Sequence, residues 1–187
     1  MFFSELMQKH KEIKYYKSLP VIFNGFLRAE GFSDGNVALA CVERRPGDII
    51  RGYAPSYFFE IRVGGERVGA ISLRVGYSRS LYYSGQIGYA VDAPYRGRGY
   101  AGAACRLMIP LMLSHGMYKV LITNNCDNAA SRRVCEKLGA RRLRAAKIPR
   151  WHEMYDSGER RKNIFEWDVA KAAETASDSA ANFTDLK

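Results

Sequence analysis

The chain has 187 residues, 47% hydrophobic and 26% charged, which fits one folded domain that buries a core without disulfides or metals. Its formal charge of +10 calls for an anionic partner, but no RNA-recognition signature, zinc-finger spacing or helix-turn-helix accompanies it, so nucleic acid is not the expected one. The cysteines and histidines lie too far apart for a disulfide framework or a metal site, and no apolar run approaches the ~18 residues of a membrane span, so a cytoplasmic protein with reduced thiols is expected.

Apolar residues at helical spacings predict helices over Phe2–Lys17 and Pro20–Glu30, the second stopped by Gly31; the first turns charged too soon for a signal peptide. Asn36–Val42 reads as a strand followed by a polar turn at Arg44–Asp48. Tyr57–Val63 and Val68–Val75, rich in aromatic and β-branched residues, flank Gly64-Gly65-Glu66-Arg67 and predict a hairpin. A polar, aromatic connection, Tyr77–Ser84, leads to the strand Gln86–Asp92. After Ala93–Pro94 comes a loop of alternating Arg and Gly, then a helix over Tyr100–His115. Pro110 is expected to kink that helix, because it lacks an N–H and crowds the carbonyl of Arg106. Tyr118–Thr123 is a short strand and Asn128–Leu138 a helix closed by Gly139. The last strands are Ala140–Ile148 and Asn163–Val169, separated by a basic, aromatic excursion. From Arg132 to Lys162 eleven Lys or Arg residues face four acids, so the positive charge gathers after the glycine loop. Residues 1–169 form the expected domain, and the polar tail 170–187 reads as frayed helix or disorder. The order gives an α+β fold: a mixed, mostly antiparallel sheet of six to seven strands flanked by helices, with one βαβ unit embedded in it.

The most informative stretch is Gln86–Ala101. A strand that empties through Arg96-Gly97-Arg98-Gly99 into a helix N-terminus is a device for holding phosphates, because glycines let backbone N–H groups approach an anion and the helix end supplies unpaired donors. Gly97, Gly99 and Gly102 also satisfy the dinucleotide fingerprint G-x-G-x-x-G. The context opposes that reading: antiparallel strands precede the loop, and too little chain follows for a second mononucleotide half. No Lys-Ser/Thr follows the glycines, which excludes a Walker loop.

Arg96-Gly97-Arg98-Gly99-Tyr100-Ala101 resembles the Arg/Gln-x-x-Gly-x-Gly/Ala pyrophosphate loop of the GNAT superfamily of acyl-CoA-dependent N-acetyltransferases. Downstream, Asn128-Ala129-Ala130-Ser131 and Glu136-Lys137-Leu138-Gly139-Ala140 resemble that family's Asn-x-x-Ala/Ser helix start and Glu-Lys-x-Gly close. Val68–Leu73 is similar to the strand before the acetyl-CoA strand, so the resemblance spans Tyr57–Leu143.

The resemblance implies a V-shaped gap beside the strand Gln86–Asp92. There the backbone of Tyr89, Ala90 and Val91 would pair with the pantetheine arm of acetyl-CoA, the acyl donor. The loop Arg96, Gly97, Arg98, Gly99, Tyr100 and Ala101 would hold the pyrophosphate. Asn128 would bond the pantetheine amide, with Ser131 and Arg132 toward the nucleotide. Simpler roles exist beside these: Asn128 as a helix cap, Arg96 as a surface charge, Tyr100 as a core aromatic. The implied reaction is direct attack of a primary amine on the thioester, with the Val91 N–H as oxyanion donor and no metal.

Many family members place a Tyr before the Glu-Lys pair to protonate the leaving thiolate; this chain has Cys135 there, a weaker donor or a conceivable nucleophile. Asp92 and Tyr83 are the leading candidates for base, ahead of Glu60 and Tyr82. The acceptor is a small-molecule or protein amine, and a homodimer is compatible with the sequence. The competing readings are a catalytically silent CoA-binding sensor or scaffold, supported by Cys135, and a nucleic-acid-binding protein.

Overall fold

The computed structural model describes residues 2–19, 21, 23–48 and 50–184, the side chains of 2–6 and 177–184 excepted. In chain order the elements are α1 (Phe2–Ser18), β1 (Phe32–Ser33), β2 (Val37–Arg45), β3 (Ser56–Val63), β4 (Glu66–Arg74), α2 (Leu81–Ser84), β5 (Ile87–Val91), α3 (Tyr100–Leu107) and α4 (Ile109–Ser114), followed by β6 (Lys119–Asn125), α5 (Ala129–Lys137), β7 (Arg141–Lys147), α6 (Glu153–Asp156), β8 (Arg161–Asp168) and α7 (Val169–Thr184). The strands form an eight-stranded sheet in the order β1-β2-β3-β4-β5-β6-β8-β7, antiparallel except between β5 and β6. The strand beyond the expected six to seven is β1, whose two residues are too short to show a period-2 pattern.

Alternation along the strands decides which face carries the main core. Tyr57, Phe59 and Ile61 of β3 and Ile71 and Leu73 of β4 all point to the face covered by α3 and α5 and are buried there. Burying each such side chain contributes about 1.5–3 kcal/mol. The predicted hairpin joins β3 and β4 through Gly64 and Gly65, at φ 58° and 86°, as a tight turn with two left-handed residues requires. On the opposite face, β6 and β8 contribute Leu121 and Ile164 to a second cluster with Tyr16, Tyr82, Tyr83, Ala146 and Ile148. The strands β6 and β8 are therefore buried on both sides, whereas the same face of β2–β5 is largely uncovered.

Two expectations are corrected. Among the described residues of the predicted helix Pro20–Glu30 the chain is irregular, not helical, with Gly25 at φ 118°; Pro20 itself lies outside the described residues. Its apolar residues serve tertiary contacts instead. Phe26 stacks edge-on to Tyr57 at 5.1 Å and to Phe23 at 5.2 Å, and the Leu27 N–H donates to the Tyr57 hydroxyl at 2.7 Å. The predicted kink at Pro110 is a break at Met108, which places Pro110 in the first turn of α4, where a missing N–H costs nothing. The tail is helical through Thr184; α7 starts at the fully buried Val169, and Ala172 and Ala173 pack against the core. The connections 77–84 and 149–162 each hold one helical turn, α2 and α6.

Candidate active site

The sheet parts between β5 and β6. They share one parallel pair, Ile87 with Ile122, and then separate, because β5 stays zipped to β4 as far as Val91 while β6 stays zipped to β8 as far as Asn125. Gln86 fixes the vertex. Its backbone N–H donates to Leu121 O at 2.8 Å, its buried Oε1 accepts from the Leu121 N–H at 2.7 Å, and its Nε2 donates to Gly76 O at 3.0 Å. A side-chain amide thus replaces a ladder rung where the strands diverge.

The direction of the β5 backbone follows from its bonds to β4. Asp92 N–H donates to Val68 O at 3.0 Å and Arg74 N–H to Gln86 O at 2.8 Å, so from Gly88 onward the even-numbered residues turn their polar groups to β4. Tyr89 and Val91 therefore aim theirs into the gap. Ala90, expected to join them, does not: it pairs with Ala70, and its carbonyl lies so near Gly69 that a Cβ there would come within 2.3 Å.

The glycine loop stands at the open end of β5. Gly97 and Gly99 have φ of 80° and 83°, conformations that any Cβ would strain. No side chain caps α3, and its first backbone bond runs from Ala103 N–H to Gly99 O at 3.1 Å. The N–H groups of its first turn, Tyr100 and Ala101 included, are the donors such a terminus offers an anion. Arg96 Nε bonds the Val91 carbonyl at 3.0 Å and ties the loop to the strand end, while Arg98 lies exposed, 3.4 Å from Pro94 O. Tyr100 is half-buried against the main core.

The other wall is α5. Asn128 caps it, with Oδ1 accepting from the Ser131 N–H at 2.9 Å, and Arg132 is exposed and paired with Glu136 at 3.8 Å. The Tyr89 hydroxyl crosses from β5 to the Ser131 Oγ at 2.9 Å. Cys135 is fully buried one helical turn further on, with Asn124 Nδ2 donating to its Sγ at 3.8 Å. Burial pushes its thiol up to about 11, against hydrogen bonds from Tyr89 and Asn124 that pull it down. Cys135 is therefore a protonated thiol at neutral pH.

The two candidate bases are already engaged. Asp92 Oδ2 accepts from Arg67 Nη1 at 2.9 Å, and Tyr83 is buried in the second cluster against Trp151 and His152. Sequence reasoning overlooked the Tyr89 side chain, Gln86 and Asn124. Only Gln86, a polar residue opening an apolar strand, left a trace in the pattern. Among the described residues no group of three or more His, Cys, Asp or Glu could hold a metal, and no helix is long and apolar enough to cross a membrane.

The profile of the acetyltransferase (GNAT) domain matches residues 38–141, which takes in β3 to β6, the glycine loop and α5. The chain belongs to the GNAT acetyltransferase family. Among solved structures it is similar to the microcin C7 self-immunity acetyltransferase MccE in complex with acetyl-CoA and AMP, at 19% identity over 59% of each chain and a TM-score of 0.45. It is also similar to Mycobacterium smegmatis RimJ in complex with CoA-disulfide, at 20% identity over 68% of this chain and 62% of that one, TM-score 0.48. A ribosomal-protein-S5-alanine acetyltransferase from Vibrio fischeri matches at 19% identity over 61% and 62%, TM-score 0.48. The chain thus spans less than two thirds of the length of each of these relatives. No curated protein matches it.

Proposed function

We propose that this member of the family transfers the acetyl group of acetyl-CoA to a primary amine by direct attack. The observation that carries the reading is the parted sheet, with the N–H and C=O of Tyr89 and the N–H of Val91 aimed into the gap and an uncapped helix N-terminus following the loop after β5. An extended pantetheine arm added to that edge of β5 gains backbone hydrogen bonds, and the pyrophosphate reaches the loop of Arg96, Gly97, Arg98 and Gly99.

In the reaction the amine lone pair forms a bond to the thioester carbon and the C–S bond breaks. The amine loses one proton to solvent in the open gap, and the leaving thiolate takes one up. The Val91 N–H faces the developing oxyanion. The fully buried Cys135 thiol, accepting from Asn124, has no open path to the departing sulfur, so the thiolate takes its proton from solvent. A Cys135 nucleophile is disfavoured, because burial keeps the thiolate scarce. Asp92, paired with Arg67, serves as an electrostatic partner at the strand end rather than as a ready base.

The test is thermal stabilisation by acetyl-CoA together with release of free CoA thiol in the presence of amines. Wild type should be stabilised by several degrees and Gly99→Glu, which puts an anion and a strained residue in the loop, should not. Stabilisation without thiol release across a broad amine panel would replace the enzyme with a CoA sensor.

A further inference from the structure

Opposite α3 and α5, the bare face of the sheet holds a groove of about 430 Å³ across β2–β5, floored by Phe58, Glu60, Ala70, Ser72, Gly88 and Ala90. Arg74, the last residue of β4 and on the same face as Ser72, stands outside the groove's lining, beside its Gly88 end toward the β5–β6 vertex. This guanidinium lies over Gly85 and Gly88. Nη1 is 3.4 Å from Gly85 O, and a Cβ on Gly88 would stand 3.5 and 3.7 Å from Nη1 and Nη2 and 3.2 Å from Ser72 Oγ. A side chain at position 88 would cover the guanidinium; glycine leaves it open to the groove.

Arg74 lacks what other sheltered cations here possess. Arg144, on β7, meets Glu12 at 2.5 Å, and the buried Lys162 meets Glu159 at 2.7 Å. Among the described residues Arg74 makes no ion pair, only its long bond to a carbonyl. Glu153, at the start of α6, acts on it across a distance greater than an ion pair, and burial disfavours its charged form. A guanidinium taken largely out of water without a counterion is costly unless an anion completes it, and its planar fork suits carboxylate and phosphate alike.

We propose that this face is the acceptor side of the site, and that Arg74 receives the carboxylate or phosphate of a compact amine. The inference rests on the acetyl-transfer reading. With the donor arm on the gap-facing edge of β5, an amine entering from the bare face places its anion at Arg74 above Gly88. Its nitrogen then lies one to three strand residues further, near Tyr89 and Val91. That spacing, about 3–10 Å, fits an amino acid or an aminoalkyl phosphate and excludes a long polyamine.

The experiment measures CoA thiol release by the full chain with matched amines: amino acids against their amides, and O-phosphoethanolamine against ethanolamine. The anionic member of a pair should be favoured at least tenfold in kcat/KM, and the pair that responds tells carboxylate from phosphate. Arg74→Gln should lower kcat/KM for that substrate about 10- to 100-fold, mainly through KM. It should leave the neutral partner unchanged, and Arg74→Lys should recover part of the loss. As a second readout, N-acetylglycine or N-acetyl-O-phosphoethanolamine should stabilise the CoA-bound wild type more than its uncharged analogue, and Arg74→Gln should abolish the difference. Equal use of neutral amines or peptide N-termini, equal loss for both members in Arg74→Gln, or no Arg74-dependent anion effect in either readout overturns the proposal while leaving acetyl transfer intact. Failure of acetyl-CoA to stabilise the wild type overturns both.

Discussion

Burial decides what each cysteine can do. Cys135 and Cys105 are fully buried and burial raises both thiols, whereas Cys126 is exposed at the turn after β6 and Cys41 is half-buried. An aromatic disulfide reagent at pH 8 should therefore titrate Cys126 first and leave Cys105 and Cys135 untouched until the chain unfolds. Rapid labelling of Cys135 in the folded protein would show a thiolate and revive its role as nucleophile. The same comparison explains which candidate residues were legible. Arg96, Gly97, Gly99 and Asn128 announce themselves, because anion loops and helix caps use few residue types at fixed spacings. Tyr89 was legible only as backbone. Its hydroxyl meets Ser131 42 positions away, and no local pattern encodes such a contact.

At the scale of elements, α1 is held to the sheet by buried and part-buried hydrogen bonds to carboxylates. Tyr16 donates to Glu166 at 2.5 Å, Arg141 reaches the same carboxylate at 3.0 Å, and Glu12 accepts from Tyr82 at 2.6 Å and from Arg144 at 2.5 Å. Burial alone would raise Glu166, but the bonds from Tyr16 and Arg141 and the charge of Lys119 bring its carboxyl below the usual range. Its folded pKa thus lies under the unfolded value of about 4.3, so the stability it lends is present above that pH and lost as pH falls through the folded value. Urea unfolding should show Glu166→Gln less stable than wild type by about 1–3 kcal/mol at pH 7, the gap closing toward pH 3. A gap constant with pH would mean that the carboxylate charge is irrelevant. The predicted helix Pro20–Glu30 failed at this scale, since packing of Phe23 and Phe26 on Tyr57 and His115 outweighed a spacing that suited a helix equally well.

Over the whole molecule the surplus charge of +10, with Arg96 and Arg98 exposed beside the gap, should steer an anionic donor. Stopped-flow association of acetyl-CoA should slow at least about threefold between 0.05 and 0.5 M salt, with dissociation nearly unchanged. An association rate indifferent to salt would reduce the basic surface to a solubility device. The sequence by itself determined the strand order around the loop, the hairpin, the glycine loop at the start of α3 and the family resemblance, because glycine conformations, caps and period-2 alternation are local rules. Only the tertiary structure decided how the gap implied beside β5 is pinned, since Gln86 must meet Leu121 across 35 positions at its vertex. It also decided that Ala90 serves β4, that Asp92 is paired, and that one face of β2–β5 stays bare beside Arg74. The loop beyond β5 could be read from neighbours in sequence, whereas the gap it guards exists only between strands that the chain brings together from a distance.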